Sequence, residues 1–102
     1  MLKNMTQPKN GNYVILFSKQ AIKDRKNLKA AGLEKKTKEL LNIMVHDPFI
    51  YPPSYEKLIG EFRGLYSRRI NIQHRIVYKV NETKKEIYII RMWTHYENLI
   101  YY

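Results

Sequence analysis

Three side chains in the second half of the sequence have the chemical types that a metal-free cleavage of RNA requires: Glu56, Arg75 and His95. Such a reaction needs a base for the 2′-hydroxyl proton, a cation for the charge gathering on phosphorus, and an acid for the leaving 5′-oxygen. A carboxylate, a guanidinium and an imidazole suit these roles if the fold brings them together. Each residue alone is weak evidence, because such side chains are more often solvated or paired with a neighbour.

A metal-dependent mechanism has little support in the sequence. The chain has no cysteine and no pair of histidines one helical turn apart, so neither of the usual zinc patterns is present. A metal site would need His46, His74 and His95 to converge with scattered carboxylates. We therefore expect no metal and no cofactor.

The charge of the chain indicates a polyanionic partner. Lys and Arg number 19 against 9 Asp and Glu, which gives a formal net charge of +10 over 102 residues. The densest basic block runs from Lys19 to Lys38. Its lysines are either simply solvated or form a docking surface for structured RNA, where neutralised phosphates would release counterions. Composition and spacing alone describe a basic nucleic-acid-binding protein.

The first half of the chain predicts one strand and two helices. The apolar run at 13–17 is typical of a strand buried on both faces. Ser18 is a suitable N-cap for a first helix that Gly32 would end. A second amphipathic helix begins at Leu33 and stops at Asp47 and Pro48. Its apolar face consists of Leu33, Thr37, Leu40, Leu41 and Met44.

The second half changes to strand patterns after an irregular, proline-rich connection. Turn residues at 71–73 and 81–84 separate the later runs, and such short turns imply antiparallel pairing. The expected fold is therefore α+β, with two N-terminal helices packed on one face of a mainly antiparallel sheet. The other face stays open for binding. Strands are predicted at 57–63, 65–71, 74–80 and 86–93.

The predicted organisation is a leader at 1–12, a single domain at 13–96 and a tail at 97–102. The leader lacks an apolar core, and no stretch approaches the roughly 18 apolar residues of a membrane span. We expect a cytoplasmic protein that does not contact membranes.

Short motifs in the second half resemble the YoeB/Txe branch of the RelE toxin superfamily. These are SRRI at 67–70, HRIVY at 74–78 and the late pair His95 and Tyr96, and the DPF at 47–49 also resembles the family. The order and spacing match over about 80 residues, from the first strand to Tyr96. The resemblance implies a microbial-ribonuclease-like fold.

The resemblance also implies roles for single residues. Glu56 would be the general base, Arg75 the phosphate-binding arginine and His95 the general acid, while Tyr96 would stack on or orient the substrate. The family often has prolines on both sides of the base, which this chain lacks. The expected RNA contacts are Lys57, Tyr66, Arg68 and Arg69.

Family members are ribosome-dependent messenger RNA endonucleases that are held inactive by an antitoxin. The implied partners are thus the ribosome, messenger RNA and a cognate antitoxin of the YefM/Axe type, and family analogy allows a homodimer. Two other interpretations stay open. The chain could be a non-catalytic nucleic-acid-binding module with the same fold, or a toxin weakened by its altered base loop and its tail.

Overall fold

The computed structural model describes residues 12–94. The predicted leader and tail therefore lie outside the described residues, apart from Asn12, as do His95 and Tyr96. Neither helix in the described part has the length and apolar character needed to cross a membrane. In chain order the elements are β1 (Val14–Phe17), α1 (Lys19–Ala30), α2 (Glu34–His46), β2 (Tyr55–Lys57), a 3-10 turn (Gly60–Phe62), β3 (Tyr66–Arg69), β4 (Arg75–Asn81) and β5 (Glu86–Arg91).

The five strands form one mixed sheet in the order β1-β5-β4-β3-β2. Strands β2 to β5 pair antiparallel in sequence, whereas β1 pairs parallel with β5. Both helices contribute to the core on one face of the sheet, which confirms the predicted α+β architecture. The core is built from Ile15, Phe17, Ala21, Leu28, Leu40, Leu41, Met44, Val45, Ile70, Ile76, Tyr78, Ile87, Ile89 and Met92.

The ends of the first helix follow the predicted signals. The Ser18 hydroxyl accepts a hydrogen bond from the Ala21 amide at 2.9 Å and donates to the Ile90 carbonyl at 2.7 Å, so the cap also ties α1 to β5. Gly32 has a φ of 75°, a left-handed conformation that disfavours side chains with a Cβ. Asp47 is the residue after α2, as the Asp47 and Pro48 pair predicted.

A surface ion pair joins the two helices. The Arg25 guanidinium donates to the Glu34 carboxylate at 3.0 Å. This hydrogen bond holds the pKa of Glu34 below its usual value. Because both side chains are partly exposed, the pair contributes little to stability.

Two predicted strands differ from the structure. The first strand was expected to be buried on both faces, but in β1 only Ile15 and Phe17 are buried and their neighbours are half-buried, as in a strand with one face on the core. The strand predicted at 57–63 is wrong, because the sheet strand is Tyr55–Lys57 and a 3-10 turn follows. The positive φ angles of Gly60 and Gly64 turn the chain there, so residues 61–63 do not form a strand.

Candidate active site

Four polar side chains meet on the face of the sheet opposite the helices. The strand register pairs Glu56 with Ser67 and Arg69 with Arg75, and since side chains alternate along a strand, these four project from the same face. They line a shallow cavity of about 90 Å³. Ser54 and Tyr55 complete its wall.

Arg75 lies at the base of this cavity. It is only 3% exposed, and its Nη1 donates to Glu56 Oε1 and to Ser67 Oγ, both at 3.1 Å. The Glu56 side chain remains half exposed. The structure thus brings together two of the three residues predicted for the cleavage, the carboxylate of the expected base and the guanidinium of the expected phosphate contact.

Arg69 adds an exposed cation at the same cavity. It is the cross-strand partner of Arg75, so two guanidinium groups approach the cavity from adjacent strands. Arginines bind phosphate oxygens through directed, charge-assisted hydrogen bonds. The arrangement suits a phosphodiester whose negative charge is neutralised by one arginine from each of the two strands.

The other three expected RNA contacts lie on the opposite face of the sheet. Lys57 pairs with Tyr66 across β2 and β3, and the Tyr66 ring lies edge-on to the Phe49 ring at 4.9 Å. Arg68 is 1% exposed and its guanidinium donates to three backbone carbonyls. The expectation that Arg68 contacts RNA is therefore corrected. Because side chains alternate along β3, Arg68 lies on the face that packs against the helices, whereas Arg69 lies on the open face.

Hydrogen bonds to α1 and to β4 fix the residues that precede His95. Asp24 of α1 is buried, and its Oδ2 accepts hydrogen bonds from the Arg91 Nε at 3.0 Å and from the Met92 amide at 2.9 Å. The Arg75 amide donates to the Thr94 carbonyl at 3.2 Å. The last described residue is therefore bonded to Arg75. His95 and Tyr96 follow it outside the described part, and their roles stay predictions.

Within residues 12–94, no group of three histidines, cysteines or carboxylates has the arrangement of a metal site. The cavity itself offers one carboxylate, hydroxyl groups and two guanidinium groups. Two cations beside a single carboxylate favour an anionic ligand over a metal ion.

A match to a protein-family model identifies the family of this chain. The model for the YoeB-like toxin of bacterial type II toxin–antitoxin systems matches residues 17–96. The chain belongs to this family. Membership in the YoeB-like toxins supports a nuclease function, which the resemblance of the motifs also implies. A comparison with curated protein sequences gives no significant match.

Solved structures of YoeB-like and related toxins share the fold. The toxin of the YoeB-YefM complex from Staphylococcus aureus is 35% identical, with a TM-score of 0.69, covering 84% of this chain and 100% of that one. The YoeB/ParE toxin from Agrobacterium tumefaciens is 26% identical, with a TM-score of 0.73, covering 80% and 98%. The archaeal RelE-RelB complex from Pyrococcus horikoshii OT3 gives 26% identity and a TM-score of 0.67, covering 81% and 94%.

Three residues that line the cavity were not among the predicted site residues: Ser54, Tyr55 and Ser67. The most important of them is Ser67. Its hydroxyl is buried and holds the Arg75 guanidinium. The signal was present, since Ser67 and Arg69 are two apart on a predicted strand and must share a face. A small polar residue at that position leaves room for the arginine of the next strand.

Proposed function

We propose that this YoeB-like toxin is an endoribonuclease that cleaves messenger RNA in the ribosomal A site by metal-independent acid–base catalysis. One observation carries the proposal: a half-exposed carboxylate, Glu56, lies in contact with a buried arginine, Arg75, on an open basic sheet face. The family membership supports the same activity.

In the proposed mechanism Glu56 removes the proton of the 2′-hydroxyl, and the 2′-oxygen attacks the adjacent phosphorus. Arg75 and Arg69 stabilise the charge on the equatorial oxygens of the phosphorane. His95 then protonates the 5′-oxygen as the bond from phosphorus to that oxygen breaks, leaving a 2′,3′-cyclic phosphate and a 5′-hydroxyl. Tyr96 stacks on or orients the substrate. The proton taken by Glu56 returns to solvent after the cleavage.

These groups are sufficient for an enzymatic rate without a metal. Acid and base catalysis each contribute about 10² to 10⁴-fold, and one well-placed electrostatic contact about 10² to 10³-fold. Their simple product is on the order of 10⁶ to 10¹¹, which lies within the range of enzymes. Loss of one group should cripple cleavage without abolishing it.

The shallowness of the cavity supports a requirement for the ribosome. Its volume of about 90 Å³ is well below the roughly 300 Å³ of pockets that enclose small ligands. A cavity of this size encloses only a small part of a nucleotide. We infer that the ribosome presents the messenger RNA in the in-line geometry that attack by the 2′-oxygen needs and that the toxin adds the catalytic groups.

An antitoxin is the second proposed partner. Relatives are seen as YoeB-YefM and RelE-RelB complexes, and a YoeB dimer from Staphylococcus aureus is also known. The basic open face suits an acidic segment of a YefM/Axe-like antitoxin, which would silence the toxin by occupying Arg69 and covering Arg75. A homodimer is proposed from the relatives alone.

The deciding experiment is primer extension on a defined messenger RNA incubated with purified toxin, with and without programmed ribosomes. New 5′ ends at the occupied A site, found only with ribosomes, are the expected result. If no new ends appear with folded, antitoxin-free protein that binds the ribosome, the non-catalytic binding module replaces this proposal. Slow but correctly placed cleavage would identify the weakened toxin instead.

A further inference from the structure

Arg68 is a buried cation whose hydrogen-bond partners all belong to one segment of the chain. Its Nη1 donates to the Pro53 carbonyl at 2.6 Å, and its Nη2 donates to the carbonyls of Pro48 and Ile50 at 3.0 and 2.8 Å. Burying a guanidinium is costly unless acceptors satisfy it, and here the carbonyls satisfy both Nη atoms while Nε is buried without an acceptor among the described residues. The three carbonyls lie in the connection between α2 and β2, which we call the entry segment (residues 48–54).

The entry segment contains few backbone donors that could order it from within. Pro48, Pro52 and Pro53 have no N–H, so they cannot donate backbone hydrogen bonds. The Ile50 amide donates to the Asp47 carbonyl at 3.2 Å, which fixes the start of the segment next to α2. The two Nη atoms of Arg68, which we call the Arg68 fork, donate to carbonyls at the start and at the end of the segment and hold the two ends together. The fork thereby supplies donors that the prolines lack.

An aromatic cluster surrounds this fork. The Tyr78 hydroxyl donates to the Pro48 carbonyl at 2.8 Å, and the Tyr66 and Tyr78 rings are stacked at 5.7 Å. The Arg68 guanidinium lies over the Tyr55 ring, 5.1 Å from its centroid. Only a planar guanidinium can present several donors in fixed directions while contacting a ring. Lysine would keep the charge and lose this geometry.

The contacts of Arg68 reach the catalytic carboxylate through one short strand. Tyr55 is the cross-strand partner of Arg68, and the next pair in the register is Glu56 with Ser67. We propose that Arg68 is a positioning residue that holds the entry segment, and through it Glu56, in the place where Glu56 meets Arg75. The catalytic part of this inference rests on the proposed function of Glu56.

The test is a double-mutant cycle between Arg68 and Glu56, measured by single-turnover cleavage on programmed ribosomes. Arg68→Met should lower kcat by about 10²-fold, since a misplacement of about 1 Å has an effect of that size, and should leave KM unchanged. In the Glu56→Gln background the same change should have no further effect. If the losses of kcat from the two substitutions multiply, or if KM rises, Arg68 contacts RNA independently of Glu56 and the proposal fails.

Hydrogen exchange on the full-length protein without ribosomes tests the structural part separately. Arg68→Met should speed exchange of the Ile50 amide and leave the amides of α1 protected. If the wild type cleaves nothing, the proposed function fails while this measurement still decides whether Arg68 orders the segment. Unchanged exchange at Ile50 would overturn the positioning role whatever the activity.

Arg68→Lys covers the case in which Arg68→Met does not fold. Because lysine keeps the charge but not the fork, it should show the same faster exchange and lowered kcat to a smaller degree. A lysine variant with wild-type kcat and exchange would show that charge alone suffices, against the proposal. Arg69→Met, on the other face of the same strand, is the matched control and should leave Ile50 exchange unchanged.

Discussion

Glu56 and Arg75 are joined across three adjacent strands by a hydrogen bond of 3.1 Å. The intervening strand contributes Ser67, which accepts from the same nitrogen of Arg75. Without substrate, the carboxylate proposed as base and the guanidinium proposed as phosphate contact therefore satisfy each other. The resting site is thus ordered by the same groups that would act in cleavage.

Glu56→Gln should lower the rate of ribosome-bound cleavage by about 10² to 10⁴-fold, because glutamine cannot accept the proton of the 2′-hydroxyl. Primer extension at single turnover measures the rate. Glu61→Gln removes an equal charge from the exposed 3-10 turn nearby and should cleave like the wild type. Equal losses in the two variants would indicate a general charge effect and exclude Glu56 as the base.

Arg69→Gln should weaken binding to single-stranded RNA and make it less dependent on salt. Removal of one phosphate contact reduces the slope of log K against log salt by roughly 0.7 to 1. Fluorescence anisotropy at several salt concentrations measures this slope, with Glu56→Gln protein as the parent so that the RNA stays intact. Arg63→Gln is the control, since Arg63 is exposed but does not line the cavity. Identical slopes for the two variants would remove Arg69 from the proposed phosphate contacts.

Tyr78 should make stability fall in strongly alkaline solution. Burial raises the pKa of its phenol to about 12 in the folded protein, against about 10 in an unfolded chain. The folded state therefore binds the proton more tightly, and the resulting stability is complete below about pH 10 and is lost between about pH 10 and 12.

The comparison with Tyr78→Phe isolates this effect. The variant lacks the hydrogen bond to Pro48 and should be less stable by about 1 kcal/mol near neutral pH. Urea unfolding at about pH 8 and about pH 11 should show the difference between the two proteins shrinking at the higher pH. A constant difference would mean that the phenol titrates alike in both states.

Asp24→Asn should destabilise the protein by about 3 kcal/mol, because it leaves buried donors facing an amide nitrogen or a weaker acceptor. The donors are the Arg91 guanidinium, the Gln20 side-chain amide and the backbone amides of Met92 and Trp93. Urea unfolding of the full-length protein measures the loss. Glu34→Gln, which breaks the exposed pair with Arg25, should change stability much less. Similar effects of the two substitutions would contradict the anchoring role of Asp24.

Local signals predicted the helices and turns. Ser18 caps α1, and Gly32 takes the left-handed conformation that ends it, because each acts through its own backbone neighbourhood. The Asn71 side chain accepts from the His74 amide at 2.7 Å and so forms the expected turn before β4. Such features depend on a few adjacent residues, which a sequence displays directly.

Features that depend on distant pairing were not predictable in the same way. The contact between Glu56 and Arg75 depends on the register of β2 with β3 and on that of β3 with β4. The separation of 19 residues between them in the sequence determines neither register. Alternation along β3 requires Arg68 and Arg69 to lie on opposite faces, although both were expected to contact RNA. It could not say which of them faced the helices, since that follows from how the entry segment folds over the sheet.

The parallel pairing of β1 with β5 joins the two ends of the domain, with Val14 beside Glu86 and Phe17 beside Ile89. During synthesis the first strand emerges early and has no partner in the sheet until the last strand is made. A chain interrupted before Glu86 leaves Ile15 and Phe17 without the strand that buries them. The sheet of this toxin is therefore complete only when β5 is present, and a chain that lacks β5 cannot bury its first strand.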